Sequence, residues 1–161
     1  MKDKRTKAEL VKQVRECSFM RTYAETVLNF AIDENATLNN PQCDTLACRL
    51  RPLRVEHLTK DSLQHLIDDC WNFLHHDLEY LGYGFETVVQ DIVSCDLECA
   101  AQHFYFTQNR HGVGFWDGLW PLQNAINPKF KDDGTALTEV AHSYGSTYES
   151  YYREHVYLQS G

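Results

Sequence analysis

The sequence predicts an α+β fold, in which N-terminal helices pack on a small C-terminal antiparallel sheet that carries one further helix. Apolar residues recur at spacings of three and four through the first hundred residues, which indicates helices. After residue 102 the pattern changes to aromatic-rich runs separated by turn residues, which is typical of strands. With 161 residues, the chain is expected to be a single domain, 1–161.

A basic helix is expected within the N-terminal segment 1–31. Apolar side chains repeat at helical spacing from Leu10 to Ala31, which predicts one helix over 7–31. The Asn-rich stretch that follows is expected to end it. Residues 42–58 stay ambiguous, because the proline at 52 disfavours a continuous helix there.

An acidic helical part is expected over residues 59–102. Its main helix has an apolar stripe from Leu63 to Leu81, and Gly82 is expected to end it. The candidate N-cap residues of this helix are Thr59, Asp61 and Ser62. A third helix is expected at 85–94 with Phe85 facing inward, and a helical turn is expected over 96–102.

The rest of the chain, 103–158, is expected to form a hairpin, a helix and closing strands. The expected hairpin pairs 103–107 with 113–116 across a turn at 108–112, so that Phe104 and Phe106 share one strand face and pack on the helices. Residues 118–133 are interpreted as a surface insertion. A last helix is expected over 135–144, followed by strands at 148–152 and 155–158.

The charges are distributed unevenly along the chain. There are 15 Lys+Arg and 23 Asp+Glu residues, for a formal net charge of −8. Basic side chains concentrate in residues 1–15 and in a second cluster, Arg49, Arg51 and Arg54. Residues 61–109 hold nine acids and no Lys or Arg. This one-signed field repels nucleic-acid phosphates and attracts basic protein surfaces, although an acidic face that only keeps the protein in solution also fits the pattern.

The expected partner is therefore a protein with a basic surface, and direct binding of nucleic acid is not expected. The expected partner-binding face carries Asp68, Asp69, Asp77, Glu79, Glu86 and Asp91.

The cysteines are Cys17, Cys43, Cys48, Cys70, Cys95 and Cys99. Reduced thiols are expected, because a chain of this length needs no disulfides and its basic start leads into no apolar signal segment. Zinc bound by the pairs 43/48 and 95/99 is the alternative, although neither pair has the CxxC spacing. No apolar run reaches the ~20 residues of a membrane span. No metal, cofactor or membrane association is expected.

Residues 103–117 have the sequence HFYFTQNRHGVGFWD. This segment resembles a motif, roughly HDFWLTRNGHGAGFWD, in small acidic bacteriophage proteins. Residues 137–145, LTEVAHSYG, are similar to the LTEAAKAYG of the same family. The chain departs from the family where an aromatic residue replaces the Asp after His103. The resemblance implies a phage origin and a location in the host cytoplasm, and it implies no reaction, because the family has no established activity.

The turn of the expected hairpin is the strongest local candidate for a ligand or partner site. Its residues are Asn109, Arg110, His111, Gly112 and Asp117. A histidine near an acid could transfer a proton. A structural role is the alternative, because Asn and Gly supply turn dihedrals. A second set, His65, Asp69, Asn72 and His76, shares a helix face that is expected to face solvent rather than to bind metal.

Two functions are compatible with these features. The first is a phage-encoded accessory protein that inhibits or modulates a host nucleic-acid-handling or defence factor by mimicking DNA with its acidic helices. The alternative is a small hydrolase or nucleotide-binding enzyme centred on the 103–117 hairpin. No P-loop, GxSxG or HExxH motif occurs, so the non-enzymatic function is preferred.

Overall fold

The computed structural model describes residues 4–37, 53–117, 120, 132–152 and 155–160. The zinc candidates Cys43 and Cys48, the basic residues Arg49 and Arg51, and nearly all of the expected insertion 118–133 lie outside these ranges. The chain divides into two compact units. Unit 1 comprises residues 1–67 and 147–161, and unit 2 comprises residues 68–146.

Two consecutive helices begin unit 1. Helix α1 spans Lys7–Glu16, and its N-cap Thr6 accepts a hydrogen bond from the backbone N–H of Glu9. Helix α2 spans Ser18–Thr37. The single helix expected over 7–31 is therefore divided at Cys17, whose backbone is extended (φ −105°, ψ 115°). The break lets the two helices pack on each other, with Leu10, Val14 and Tyr23 fully buried.

Helix α3, Lys60–Leu74, begins in unit 1 and continues into unit 2. The Thr59 side chain accepts a hydrogen bond from the Ser62 N–H (3.2 Å), which confirms the N-cap expected there. The Ser62 hydroxyl in turn accepts from the backbone N–H of Leu158 (2.9 Å). That hydrogen bond attaches the C-terminal segment to the start of α3. Both residues are buried, so the bond is shielded from water.

Unit 2 continues from the second half of α3 into three further helices. These are α4 (Val89–Val93), α5 (Leu97–Gln108) and α6 (Asp133–His142). Asp96 caps α5 by accepting from the Cys99 N–H, and Asp132 caps α6 by accepting from the Thr135 N–H. The expected last helix is confirmed by α6, within two residues at each end.

The core of unit 2 is built around Phe73 on α3. Its ring stacks on Phe104 of α5, with centroids 4.0 Å apart and planes 7° apart. Phe115 lies 5.8 Å away, and Tyr144 meets the same ring edge-on. Phe73, Phe104 and Phe115 have no exposed surface. Aromatic packing of this kind adds about 0.5–1.5 kcal/mol per pair to the stabilisation from buried area.

The predicted α+β class is wrong, because the described part of the chain is mainly helical, with six helices. The expected strand at 103–107 belongs to α5. Its buried residues Ala100, Ala101, Phe104, Tyr105 and Gln108 recur at helical spacing once the window includes residue 97. Burial against α3 therefore outweighed the local strand preference of an aromatic run.

A terminal hairpin is the one pairing of strands among the described residues. Strand β1, Thr147–Tyr152, pairs antiparallel with β2, His155–Ser160, in the register Thr147 to Ser160. The expected strands at 103–107 and 113–116 belong instead to α5 and to a loop with a 3₁₀ turn at Phe115–Asp117, so the two terminal strands do not form the larger sheet that the sequence predicted. None of the described helices is both long and apolar enough to cross a membrane.

Candidate functional site

The negative charge of the protein lies in unit 2. Residues 68–146 contain twelve Asp+Glu and three Lys+Arg, a net charge of −9, whereas the remaining residues contain eleven acids and twelve bases, a net charge of +1. The basic N-terminal helix is partly neutralised within unit 1, where Arg15 pairs with Glu56 and Lys12 with Glu16. An electrostatic site for a basic partner is therefore to be sought on unit 2.

The expected hairpin turn is in fact the C-terminal end of α5. The Arg110 N–H donates to the Thr107 carbonyl, and the His111 N–H donates to the Phe106 carbonyl (2.9 Å). These two bonds form a Schellman motif, in which the residue after the helix takes the left-handed conformation. Arg110 occupies that place with φ 58°. The turn therefore satisfies the last carbonyls of a helix.

The candidate residues of this turn make mainly structural contacts. The Asn109 side chain donates to the Tyr105 carbonyl (2.9 Å) and caps the helix. The His111 ring stacks on Tyr105 and meets Phe106 edge-on, both with centroids 5.7 Å apart. Gly112 has open space where a Cβ would be. Arg110 and Asp117 have the exposed side chains of this group, and Asp117 is engaged by the Gly114 N–H, so Arg110 is the better placed of the two to contact a partner.

The second half of the 103–117 motif holds a tight turn against α5. Asp117 accepts from the Gly114 N–H (2.8 Å), and the buried Thr107 hydroxyl accepts from the Phe115 N–H (3.1 Å). Burial lowers the pKa of His103, an effect that its bond to the Gly114 backbone and the Asp117 carboxylate oppose. His103 packs against Phe115, whereas His111 packs against Tyr105. The geometry gives the motif a folding role.

No protein-family model, curated protein or solved structure matches the chain. The role of the motif is therefore read from its hydrogen bonds and packing.

The six acids of the expected partner-binding face divide into two groups. Three of them accept hydrogen bonds from other groups of unit 2. Asp69 accepts from the Gln108 side chain (3.2 Å), Asp77 accepts from the Glu79 N–H (2.9 Å), and Asp91 accepts from the Val88 N–H (2.9 Å). All of the six except Asp69 have exposed side chains, and Asp68, Glu79 and Glu86 form the second group. Glu79 and Glu86 lie within the loop between α3 and α4, so the charge available to a partner concentrates there.

Exposed aromatic residues accompany the acids, and the sequence analysis missed them. Among the described residues, the exposed large hydrophobic side chains are Trp71, Tyr80, Phe85, Val113 and Trp116, all in unit 2. Phe85 is 78% exposed, although an inward position on a helix was expected. That helix begins only at Val89. The sequence did contain a signal for the exposure of Phe85: Gly82 and Gly84 come immediately before it, and glycines at this spacing favour an exposed turn.

His76 joins two tyrosines in a cluster that the sequence analysis also missed. Its ring nitrogens form hydrogen bonds with the Tyr144 hydroxyl (3.1 Å) and the Tyr80 hydroxyl (3.0 Å). Burial lowers the pKa of His76, and burial together with the Asp69 carboxylate raises the pKa of Tyr144 to about 12. The cluster joins His76, just after the end of α3, to Tyr144.

The described cysteines carry thiols rather than disulfides: Cys17, Cys70, Cys95 and Cys99. Cys70 is buried in the core, where a thiol acts as a small apolar group. Within the described ranges, no three His, Cys, Asp or Glu side chains come together to hold a metal ion. His76 and Asp69 from the helix-face set are instead engaged with Tyr80, Tyr144 and Gln108.

Proposed function

We propose that this chain is a non-enzymatic, phage-encoded accessory protein that binds a basic surface of a host protein through unit 2. The observation that carries the proposal is the segregation of charge, −9 in residues 68–146 against +1 in the remainder. A surface of this sign attracts Lys- and Arg-rich protein patches and repels nucleic acid. Surfaces that bind nucleic acid are basic, so a DNA- or RNA-handling or defence factor would offer such a patch.

The exposed aromatic residues of unit 2 support binding to a protein rather than a role for the acids in solubility alone. Trp71, Tyr80 and Phe85 are each more than half exposed and lie among the acids. Residues that only keep a protein in solution gain nothing from exposed aromatic neighbours, whereas interface centres are enriched in Trp, Tyr and Phe. The resemblance of residues 103–117 to small phage proteins supports the phage origin.

The first prediction concerns retention of a host protein on the immobilised protein. Proteins bound from a bacterial lysate at about 50 mM salt should elute between this and about 500 mM, because screening weakens charge-driven association. The double variant Glu79→Gln with Glu86→Gln should release them at lower salt and should slow association about threefold to tenfold, since exposed charges act mainly on the on-rate.

A matched control removes the same charge from unit 1. Glu9 and Glu25 are exposed acids on α1 and α2, and Glu9→Gln with Glu25→Gln should leave the elution salt unchanged. If no bound protein responds to salt, or if the two double variants behave alike, the acidic face of unit 2 does not bind a basic partner.

A further inference from the structure

The segment 76–89, which contains most of the loop between α3 and α4 and ends at the first residue of α4, is held in one conformation by its own backbone. The Leu78 N–H donates to the Thr87 carbonyl (2.9 Å), and the Val89 N–H donates to the His76 carbonyl (3.1 Å). Asp77 and Val88 form an antiparallel bridge between these two bonds. A loop ordered in this way loses little conformational entropy when it binds.

Hydrophobic anchoring fixes the base of this loop. Leu78, Leu81 and Tyr83 are buried, and the Tyr83 hydroxyl donates to the buried Asp133 carboxylate (2.7 Å). The base of the loop therefore belongs to the core of unit 2, whereas Tyr80 and Phe85 of the same loop are exposed.

The tip of the loop presents an aromatic side chain to solvent. Phe85 has 78% of its surface exposed, the largest fraction among the exposed large hydrophobic residues of the described chain. The next residue, Glu86, has φ 61°, a left-handed conformation that is unfavourable for a non-glycine residue. An exposed phenylalanine also forgoes the stabilisation that burial of its ring would give. Both costs fall on neighbouring residues at the tip.

The charges around this aromatic side chain indicate what covers it. Tyr80 and Phe85 are each adjacent to an exposed acid, Glu79 and Glu86 respectively. No Lys or Arg lies between residues 61 and 109 to compensate these acids from within the segment. The complementary surface is a protein segment that carries Lys or Arg next to apolar side chains, because an aromatic ring packs on the apolar groups and the carboxylates pair with the cations.

We propose that the 76–89 loop is the docking element of unit 2, and that Phe85 inserts among apolar side chains of a basic protein segment while Glu79 and Glu86 pair with its cations. This inference rests on the proposed function and assigns its binding energy to one loop. Phe85 supplies affinity, whereas the two glutamates supply rate and selection of a basic partner.

The test uses random 16-residue peptides displayed as a library and selected on the intact protein. We expect the selected peptides to combine Lys or Arg with apolar residues. Binding of a selected peptide to Phe85→Ala should be weaker by at least about tenfold at low and high salt, as for a central interface residue. Glu79→Gln with Glu86→Gln should weaken binding about twofold to fivefold, and at low salt only.

Two controls keep the outcome interpretable. Val113→Ala removes another exposed apolar side chain of unit 2 and should bind the peptides as the unaltered protein does. Phe85→Ala should unfold at the unaltered denaturant concentration, because an exposed side chain contributes little to the core. The proposal is overturned if no peptide is enriched, if the enriched peptides are not basic, or if Phe85→Ala binds them normally.

The lysate experiment separates this loop from the wider acidic face. A salt-sensitive host protein that is retained equally by Phe85→Ala and by the unaltered protein would leave the proposed function standing and reject the loop as its anchor. If the unaltered protein retains no host protein in a salt-sensitive way, the proposed function itself is rejected.

Discussion

At Gly114 the backbone passes so close to two side chains that a Cβ can be added only if they move. A Cβ placed there would lie 2.4 Å from the Thr107 hydroxyl oxygen and 2.4 Å from a ring carbon of Trp116. The Thr107 hydroxyl cannot move away without losing its hydrogen bond to the buried Phe115 N–H. The close approach explains why the 103–117 motif contains glycine at this place.

Gly114→Ala should therefore lower the free energy of unfolding by about 1–3 kcal/mol, the usual range for overpacking a buried position. Gly112→Ala is the matched control, because nothing lies within 4 Å of the added carbon. Urea denaturation of both variants measures the difference. Equal midpoints for the two variants would show that the close approach at Gly114 is relieved at no cost.

Phe104 illustrates how a correct residue was assigned to the wrong element. It is fully buried and packs on Phe73, as expected for a core aromatic residue. Phe106, expected to share its face, is only half-buried, whereas Tyr105 between them is 1% exposed. In a helix, residues two apart point in different directions, so the pairing of Phe104 with Phe106 does not survive.

At the scale of elements, the end of α5 contains a residue poorly suited to its backbone. Arg110 occupies the left-handed position of the Schellman motif, where glycine is the usual residue. Its side chain is exposed, so no burial offsets the strain.

Arg110→Gly should raise the free energy of unfolding by about 1 kcal/mol, because glycine removes the Cβ penalty of the left-handed region. Arg110→Ala keeps that penalty while removing the same charge, so it should not stabilise the protein. Thermal and urea denaturation can compare the two variants. Stabilisation by alanine equal to that by glycine would trace the effect to the charge instead of the backbone.

The end of α3 shows how a helix can stop while its apolar pattern continues. The stripe from Leu63 to Leu81 predicted one helix, yet α3 ends at Leu74. Leu78 and Leu81 are nonetheless buried, through a short 3₁₀ turn at Glu79–Leu81. The backbone bonds between residues 76–78 and 87–89 replace the helical bonds, so the loop buries the same residues with a different backbone path.

For the whole molecule, two partly buried histidines of unit 2 make stability depend on pH. Burial is the main cause that lowers the pKa values of His76 and His103 below 6.5. The unfolded chain then binds more protons than the folded chain as the pH falls through 6.5. The stabilisation is thus fully present above about pH 6.5 and is lost as the pH falls toward the lowered values.

His103→Gln should reduce this dependence, giving a smaller loss of unfolding free energy than the unaltered protein between about pH 7.5 and pH 5.5. Repulsion among the acids of unit 2 weakens over the same range and acts in the opposite direction, so the comparison between variants is the measurement to use. His75→Gln, at an exposed histidine, should keep the original slope. A slope for His103→Gln equal to that of the unaltered protein would refute the assignment.

Local sequence signals determined several features of this protein. Four features could be predicted from neighbouring residues or from composition: the capping oxygen of Thr59, the helix α6, the extended conformation of the last two segments, and the position of the negative charge. Each depends on contacts within a few residues or on composition, so each is encoded locally.

Tertiary structure decided the rest. An aromatic run such as residues 103–107 is compatible with strand or helix, and the fully buried partner Phe73, thirty residues earlier, selected the helix. The break at Cys17, the stop at Leu74 and the exposure of Phe85 likewise depend on which distant surfaces remain to be covered. Burial free energy is a property of the assembled core. Local propensities for helix or strand differ by only a few tenths of a kcal/mol per residue, which is less than the free energy of burying a large side chain, so burial decides the structure.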